Sequence, residues 1–382
     1  MNNILVLNSG SQSEKVAVFK SDGKQLECVY RGQTKVGLGD QQERLDAIVE
    51  LLTKSPIPAD QLNVVGHRLV HGGSYFRNST VANLEILSKL GQINELAPLH
   101  NPAAIAGVEA SMKLLPQATQ VMVFDTAFHS TMDEAHYLYA VPQEWQEFSI
   151  RKYGFHGISH QFCSKRVAEL LGKKLSELNM ISCHLGGGSS VCAIKAGKSI
   201  DTTMGFSPLD GVIMGTRCGA IDPAIIIYLL EHQKLTLAEI EVALNTKSGI
   251  LGISGLSSDM QEIEAAMAQG NQRAKLAHEM FALSITKAIA AMITNFSELD
   301  AIAFTGGIGF HDPISRAAIL PAGNLLNLNI DPAKNAKPGA DHLISGLSPI
   351  KIFAVEANEE LIIAQECLSL CHCPPIFTAA HP

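Results

Sequence analysis

No basic run interrupts this sequence. Its 29 Lys and Arg are dispersed among 37 Asp and Glu, for a formal net charge of -8. That balance argues against nucleic acid or an acidic membrane surface as a partner. Charged residues make up only 17% of the chain and aromatic residues 5%, while 46% is hydrophobic, the composition of a well-buried globule. No charged segment precedes the first apolar stretch, residues 4–7, which is too short for the core of a secretion signal. No apolar run approaches the ~20 residues that span a bilayer, so the expected setting is cytoplasmic, with no membrane partner. Low-complexity tracts and long linkers are absent too, yet 382 residues exceed one ordinary core and imply two domains. Cysteine offers little chemistry. Cys183 and Cys192 flank one turn within apparent strands, where a reduced, buried thiol is expected. Cys367, Cys371, His372 and Cys373 crowd together behind one helical pattern. A tetrahedral metal site draws ligand pairs from separated places.

What the sequence does have is three glycine-rich turns. An apolar strand at residues 4–7 runs into Asn8-Ser9-Gly10-Ser11-Gln12-Ser13-Glu14-Lys15, and residues 16–19 leave as a second strand. Gly10 permits a tight turn, while Ser11, Ser13 and backbone N–H groups can donate to phosphate oxygens. Lys15 adds a point charge and Asn8 a neutral oxygen ligand. An ordinary hairpin with a polar turn would look the same. A second copy favours the phosphate reading: residues 180–194 repeat strand, Gly186-Gly187-Gly188 turn and strand about half a chain later, the mark of a duplicated domain. A third turn, Gly306-Gly307-Ile308-Gly309, follows the apolar residues 301–305. Three such turns point to a polyphosphate held between two lobes.

Around them, strands to about residue 30 precede a helix over 41–52, and a strand at 64–66 leads into His67-Arg68-Leu69-Val70-His71-Gly72-Gly73. Helices over 84–90 and 103–115 and a buried strand at 121–124 complete a β-then-α alternation, which implies a sheet flanked by helices. The second half repeats the scheme with helices at 223–231 and 273–295. A last helix at 358–370 can return the chain to the first lobe. The site is expected in a cleft between two similar lobes.

Four side chains carry the chemistry. Arg68 and Arg217 adjoin glycine turns, where a planar guanidinium can grip a carboxylate or a transferring phosphoryl group. Asp125 ends a buried strand, the position where metal or substrate is met in such sheets; it would serve equally as a helix N-cap. His156 lies in Tyr153-Gly154-Phe155-His156-Gly157 and could act on a ligand or be a hydrogen-bonded structural histidine.

The residues 8–15, Gly66-His67-Arg68-Leu69-Val70-His71-Gly72-Gly73, Phe124-Asp125-Thr126-Ala127-Phe128-His129, Tyr153-Gly154-Phe155-His156-Gly157 and Gly215-Thr216-Arg217-Cys218-Gly219 resemble those of the acetate kinase family. Phe304-Thr305-Gly306-Gly307-Ile308-Gly309 and Asn358-Glu359-Glu360-Leu361 do so too, in the same order, over essentially the whole chain. The resemblance implies an α/β fold of the duplicated ribonuclease H-like kind shared by actin, hexokinase and heat-shock ATPases, with two domains, mixed sheets flanked by helices and an interdomain cleft. The expected N-terminal lobe, 1–130 plus 361–382, takes the acyl substrate and the first phosphate turn. The expected C-terminal lobe, 131–360, binds nucleotide and dimerises. The implied reaction is reversible, direct in-line transfer of the ATP γ-phosphoryl group to acetate, giving acetyl phosphate and ADP, by a homodimer.

Carried over by resemblance, Asp125, His156 and Arg217 are catalytic. Arg68 grips the carboxylate, and Val70, Leu99, Phe155 and Pro208 form the acyl pocket. Asn8 and Glu359 hold Mg²⁺ (or Mn²⁺). The nucleotide falls to Ser11, Ser13, Lys15, His184, Leu185, Gly186, Gly187, Gly188, Asp259, Met260, Gln261, Gly307, Ile308, Gly309, Phe310 and His311. Asp125 is expected to orient Arg217 or metal-bound waters rather than to take a proton, because a carboxylate acceptor is already ionised at pH 7. Departures from the family pattern cluster on the nucleotide side, at Gly187, Ala220, Met260, Gln261, Phe310 and His311. Two alternatives stay open: a propionate kinase of the same family, and a non-catalytic nucleotide-gated binding protein, for whose usual partner-binding domain this chain leaves no length.

Overall fold

The computed structural model of the chain describes residues 2–9, 13–23, 25–36, 41–97, 100–321, 327–337 and 339–372; of Ser9, Ser13, Gln41, Arg44 and His372 it describes the backbone alone. Two compact units emerge, Met1–Phe128 with Asn358–Pro382, and His129–Ala357.

The first unit is a six-stranded mixed sheet, β1 (Asn2–Ser9), β2 (Ser13–Ser21), β3 (Leu26–Lys35), β4 (Val64–Leu69), β5 (Thr80–Val81) and β6 (Thr119–Phe124), in the order β3-β2-β1-β4-β6-β5. β1 runs antiparallel to β2 and parallel to β4, and β4 runs parallel to β6. Ile4, Leu5, Val6 and Leu7 are at most 4% exposed, as a central strand covered on both faces requires. On one face Leu5, Leu7, Val16 and Val18 pack against Ile48, Leu51 and Leu52 of α1 (Gln41–Thr53). Leu69, Met122 and Phe124 join Leu87 and Leu90 of α2 (Leu84–Gly91) and Val108 of α3 (Asn101–Leu114) in a second cluster. The helix at Glu359–His372, α14, packs on β1 and β4. Gly66 admits it: a Cβ there would stand 2.6 Å from both Cys367 Sγ and Ile363 Cγ2.

The second unit repeats this plan. After α4 (Glu134–Tyr137) and α5 (Gly157–Leu171) come β7 (Asn179–Leu185), β8 (Ser189–Lys195) and β9 (Lys198–Thr202). Five helices follow: α6 (Ala224–His232), α7 (Leu237–Thr246), α8 (Gly249–Ser254), α9 (Met260–Ala268) and α10 (Gln272–Ile293). Then come β10 (Ala301–Thr305), α11 (Gly306–His311), α12 (Pro313–Ile319), α13 (Pro332–Asn335), β11 (His342–Leu343) and β12 (Lys351–Ala354). The sheet order β11-β12-β10-β7-β8-β9 matches the first sheet strand for strand. Even the irregular pairing recurs, between Val18 and Phe19 against β3 and between Ala193 and Ile194 against β9. The duplication read from two hairpins extends to the whole topology.

Two sequence expectations need correction. The third glycine turn is the start of a short helix: Thr305 is extended and Gly306 takes φ 79°, since a Cβ there would meet Leu185 O at 2.6 Å. And one apolar stretch does reach bilayer length. α10 has 22 residues and a mean hydropathy of 1.4 over its most apolar window. Its Ala274, Ala277, Phe281, Ala282, Ile285, Ile289 and Met292 belong to the core of the second unit, while Leu276, Met280 and Leu283 are exposed.

Candidate active site

In the first unit a single ion cluster gathers Asn8, Arg68, Asp125, Glu359 and Glu360. Arg68 leaves β4 and Asp125 follows β6, parallel neighbours whose ends lie side by side. Arg68 Nε donates to Asp125 Oδ1 at 3.1 Å and Nη2 to Oδ2 at 2.8 Å. This two-pronged bond fixes the guanidinium plane. Nη1 donates to Asn8 Oδ1 at 3.0 Å and lies 3.3 Å from Glu359 Oε2. Asn8 Nδ2 in turn donates to Glu359 Oε2 at 3.2 Å and to Glu360 Oε1 at 3.1 Å. Burial works against the Arg68 charge, but Asp125, Glu359 and Glu360 outweigh it and hold the guanidinium protonated. Burial likewise pushes the Asp125 carboxyl up, against the pull of Arg68. The partner of Asp125 within its own unit is therefore Arg68, and its side chain does not cap a helix. Glu360, which the sequence reading passed over, is as close to Asn8 as Glu359 is; its position beside Glu359 was the available signal.

Asn8 Oδ1 and the Glu359 carboxylate are hard oxygen donors, and among the described residues no three His, Cys, Asp or Glu form a metal cage of their own. That set fits Mg²⁺, which keeps several waters and takes one or two protein oxygens together with substrate phosphates. Lys15 is exposed and pairs with Asn8 across the β1–β2 hairpin. Ser11 and Leu99 lie outside the described residues, and for Ser13 only the backbone on β2 is described. Val70 is half-buried just beyond β4.

In the second unit the β7–β8 turn, Arg217, His156 and the 306–309 segment converge. A Cβ on Gly188 would stand 3.2 Å from His156 Nε2 and 3.3 Å from Arg217 Nη1. Gly186 faces Gly307 N, 3.9 Å from where its Cβ would be, and Gly215 N donates to Gly187 O at 3.2 Å. The Ser258–Asp259 backbone adjoins the same place, with Ser258 O 3.4 Å from a Cβ at Gly215. Arg217 donates to Pro208 O at 3.3 Å and to Met214 Sδ at 3.8 Å, and burial lowers its pKa from the ordinary value. Its partners among the described residues are all neutral, so the cation sits in a setting that favours an anion. His156 stacks on His184 with ring centroids 4.3 Å apart.

Not every nucleotide candidate presents a side chain. Leu185, Met260 and Phe310 are core residues at 0%, 4% and 8% exposure, so the ring of Phe310 packs instead of stacking on a base. Ile308 packs against the same core. Asp259 caps α9 by accepting from Gln261 N. The Gln261 and His311 side chains are exposed. Phe155 is buried, and its carbonyl accepts from His129 Nε2 at 2.9 Å. A residue not anticipated here is Arg316, 2% exposed, which donates to the carbonyls of Gly309 and Phe310 at 2.9 and 2.7 Å and so braces the end of α11.

Residues 3–365 match the acetokinase family. The chain is 43% identical to an acetate kinase of Dictyoglomus turgidum over 389 residues, covering 95% of this chain and 96% of that one. The crystal structure of a Porphyromonas gingivalis acetate kinase superposes with a TM-score of 0.87 at 34% identity, covering 97% of this chain and 100% of that one. That of a propionate kinase from Francisella tularensis gives 0.88 at 38%, with the same coverage. By motif, by sequence over nearly its whole length and by fold, the chain belongs to the acetokinase family.

Proposed function

We propose that this chain transfers the γ-phosphoryl group of ATP to acetate, giving acetyl phosphate and ADP, and runs in either direction. The observation that carries the reading is the pair of arginine settings. Arg68 is held in a plane by Asp125, as a residue that orients a carboxylate should be. Arg217 and His156 converge on a glycine turn, and among the described residues the arginine has no carboxylate partner. The acceptor is already an anion, so no strong base is required. In-line positioning and neutralisation of charge on the equatorial oxygens must supply the catalysis. Arg217 and His156 donate to those oxygens. Arg68 orients the acetate by exchanging its Nη1 bonds to Asn8 and Glu359 for the substrate carboxylate. Asn8 and Glu359 would hold Mg²⁺, which bound with the nucleotide supplies countercharge to the phosphates. Backbone N–H groups at residues 184–188, with Ser11, Ser13 and Lys15, hold the phosphates. The 307–311 and 259–261 segments hold the nucleoside.

The Francisella propionate kinase gives weight to a second reading, propionate as acceptor. Val70 would occupy the space a further methylene needs, which favours acetate.

A homodimer through α6 is part of the same proposal. None of its residues is buried, and Ile225, Ile227, Tyr228 and Leu230 are 40–57% exposed. A helix with exposed apolar residues spread round its circumference suits a second copy of the chain.

Trapping the acyl phosphate with hydroxylamine, across acetate, propionate and butyrate with ATP, tests the reaction. Acetate should lead, with propionate slower by about 10–200-fold, the worth of one methylene. Failure to form any hydroxamate would discard the kinase reading, and faster propionate would exchange the two acceptors.

A further inference from the structure

His156 is bound on its far side into a buried chain of hydroxyls and rings. Its Nδ1 lies 2.9 Å from Ser190 Oγ, which lies 2.8 Å from His160 Nε2. His160 Nδ1 lies 2.9 Å from Ser182 Oγ. Ser190, His160 and Ser182 are all fully buried. They come from β8, α5 and β7, so the chain is built by the packing of α5 on its sheet.

Proton counting gives this chain a direction. A serine hydroxyl has one hydrogen to give, and a neutral imidazole has one N–H and one acceptor nitrogen. Burial, with His129 and His184 nearby, pushes His160 well below its usual pKa, so it is neutral. Ser182 Oγ has His160 Nδ1 as its hydrogen-bond partner among the described residues, so this buried hydroxyl gives its hydrogen to that nitrogen. His160 must then donate from Nε2 to Ser190. A buried hydroxyl needs a recipient for its hydrogen, and that left to Ser190 is His156 Nδ1. The hydrogen of His156 is thereby placed on Nε2, the nitrogen that faces the Gly188 turn beside Arg217.

We propose that Ser182, His160 and Ser190 form a one-way hydrogen-bond chain that fixes His156 as its Nε2–H tautomer, with Ser190 and His160 as positioning residues. The inference rests on the reading above, in which His156 donates to the transferring phosphoryl group. A ring with its hydrogen fixed on Nε2 donates without a second proton, so its contribution persists above neutral pH. The strained left-handed backbone of His156, φ 56° immediately before α5, agrees with a side chain whose direction is imposed. The titratable and charged groups placed against it are His184 on β7, stacked on its ring, Arg217 beside the same turn, and His160 through Ser190.

The experiment is a profile of kcat from about pH 6 to pH 9, the range in which an ordinary histidine changes charge. It is run on the wild-type chain and on Ser190→Ala, His160→Gln, His160→Leu and His156→Ala. Wild type should be level across the range. Ser190→Ala should lose about tenfold to a hundredfold at pH 8, with the KM values nearly unchanged, and recover part of it at pH 6, where a doubly protonated ring again donates from Nε2. His160→Gln, which keeps a donor toward Ser190, should stay near wild type, and His160→Leu should follow Ser190→Ala. Nitrogen-15 spectra of histidine-labelled wild-type protein, assigned against His156→Ala, should show Nε2 protonated and Nδ1 bare at pH 8. A hydrogen on Nδ1, or a level and undiminished Ser190→Ala profile, would overturn the proposal. Full turnover by His156→Ala would instead overturn the functional reading while the spectrum still reported the tautomer.

Discussion

The two units share a strand order and differ in how each holds its arginine. Arg68 is embraced by Asp125 and flanked by Glu359, so its charge is compensated within the fold. Arg217 has a carbonyl and a thioether as its partners among the described residues. A guanidinium already paired is rigid and orients what it touches. One left among neutral groups retains most of its unspent attraction for an arriving anion. One scaffold, duplicated, has thus been tuned once for placement and once for charge.

Breaking the first setting should have the largest effect. Asp125→Ala removes both bonds from Arg68 Nε and Nη2 and should cost about 3–5 kcal/mol of stability in a urea titration, along with turnover. Asp125→Asn, which keeps the shape and one acceptor, should recover part of the stability. A wild-type urea midpoint for Asp125→Ala would show that the Arg68 pair is not a structural element. Breaking the second setting should separate the two properties. Arg217→Ala should lower kcat about 10²–10³-fold and leave the midpoint almost untouched, and equal damage to both would erase the contrast drawn here.

The carboxyl groups sharpen the comparison. In the first unit they surround an arginine. In the second, Glu264 on α9 lies beside Asp312, and burial with that acidic neighbour raises Glu264 to about 8. The folded chain therefore binds a proton more tightly than the unfolded one, and stability falls as pH rises from about 4.5 to about 8. Glu264→Gln removes this penalty, so its thermal midpoint should exceed wild type at pH 8 and match it near pH 4. A variant equal to wild type at both pH values would mean that the two carboxyl groups do not share a proton. The smallest effect concerns the nucleotide. Phe310 is in the core and His311 is exposed, so neither supplies a buried base-reading hydrogen bond. The ratio of kcat/KM for ATP over GTP should stay within about 1–2 kcal/mol. A thousandfold preference would reveal a contact these residues do not provide.

Local pattern made much of this legible. The helix expected at 41–52 is α1, that at 273–295 is α10, and the strand at 301–305 is β10, because period and punctuation are written in adjacent residues. The two hairpins announced the duplication. What stayed hidden depends on contacts far apart in sequence. Asp125 finds Arg68 only because β4 and β6 are neighbours, 57 residues distant. Ser190, Ser182 and His160 read as ordinary strand and helix residues until α5 is laid on β7. Phe310 looked like a ligand residue because it interrupts a motif, and only packing shows that it fills the core.

The position of α14 has a consequence for synthesis on the ribosome. The second unit is one continuous segment, and its strands can pair as soon as they emerge. The first begins at the N-terminus yet lacks the helix that covers β1 and β4 until residues 359–372 are made. Nascent chains therefore carry an apolar sheet surface with its cover missing for most of translation, the kind of surface that chaperones shield and that aggregates when they do not. Glu359, a proposed metal ligand, arrives with that same helix, so the part of the site that holds Arg68 is completed last.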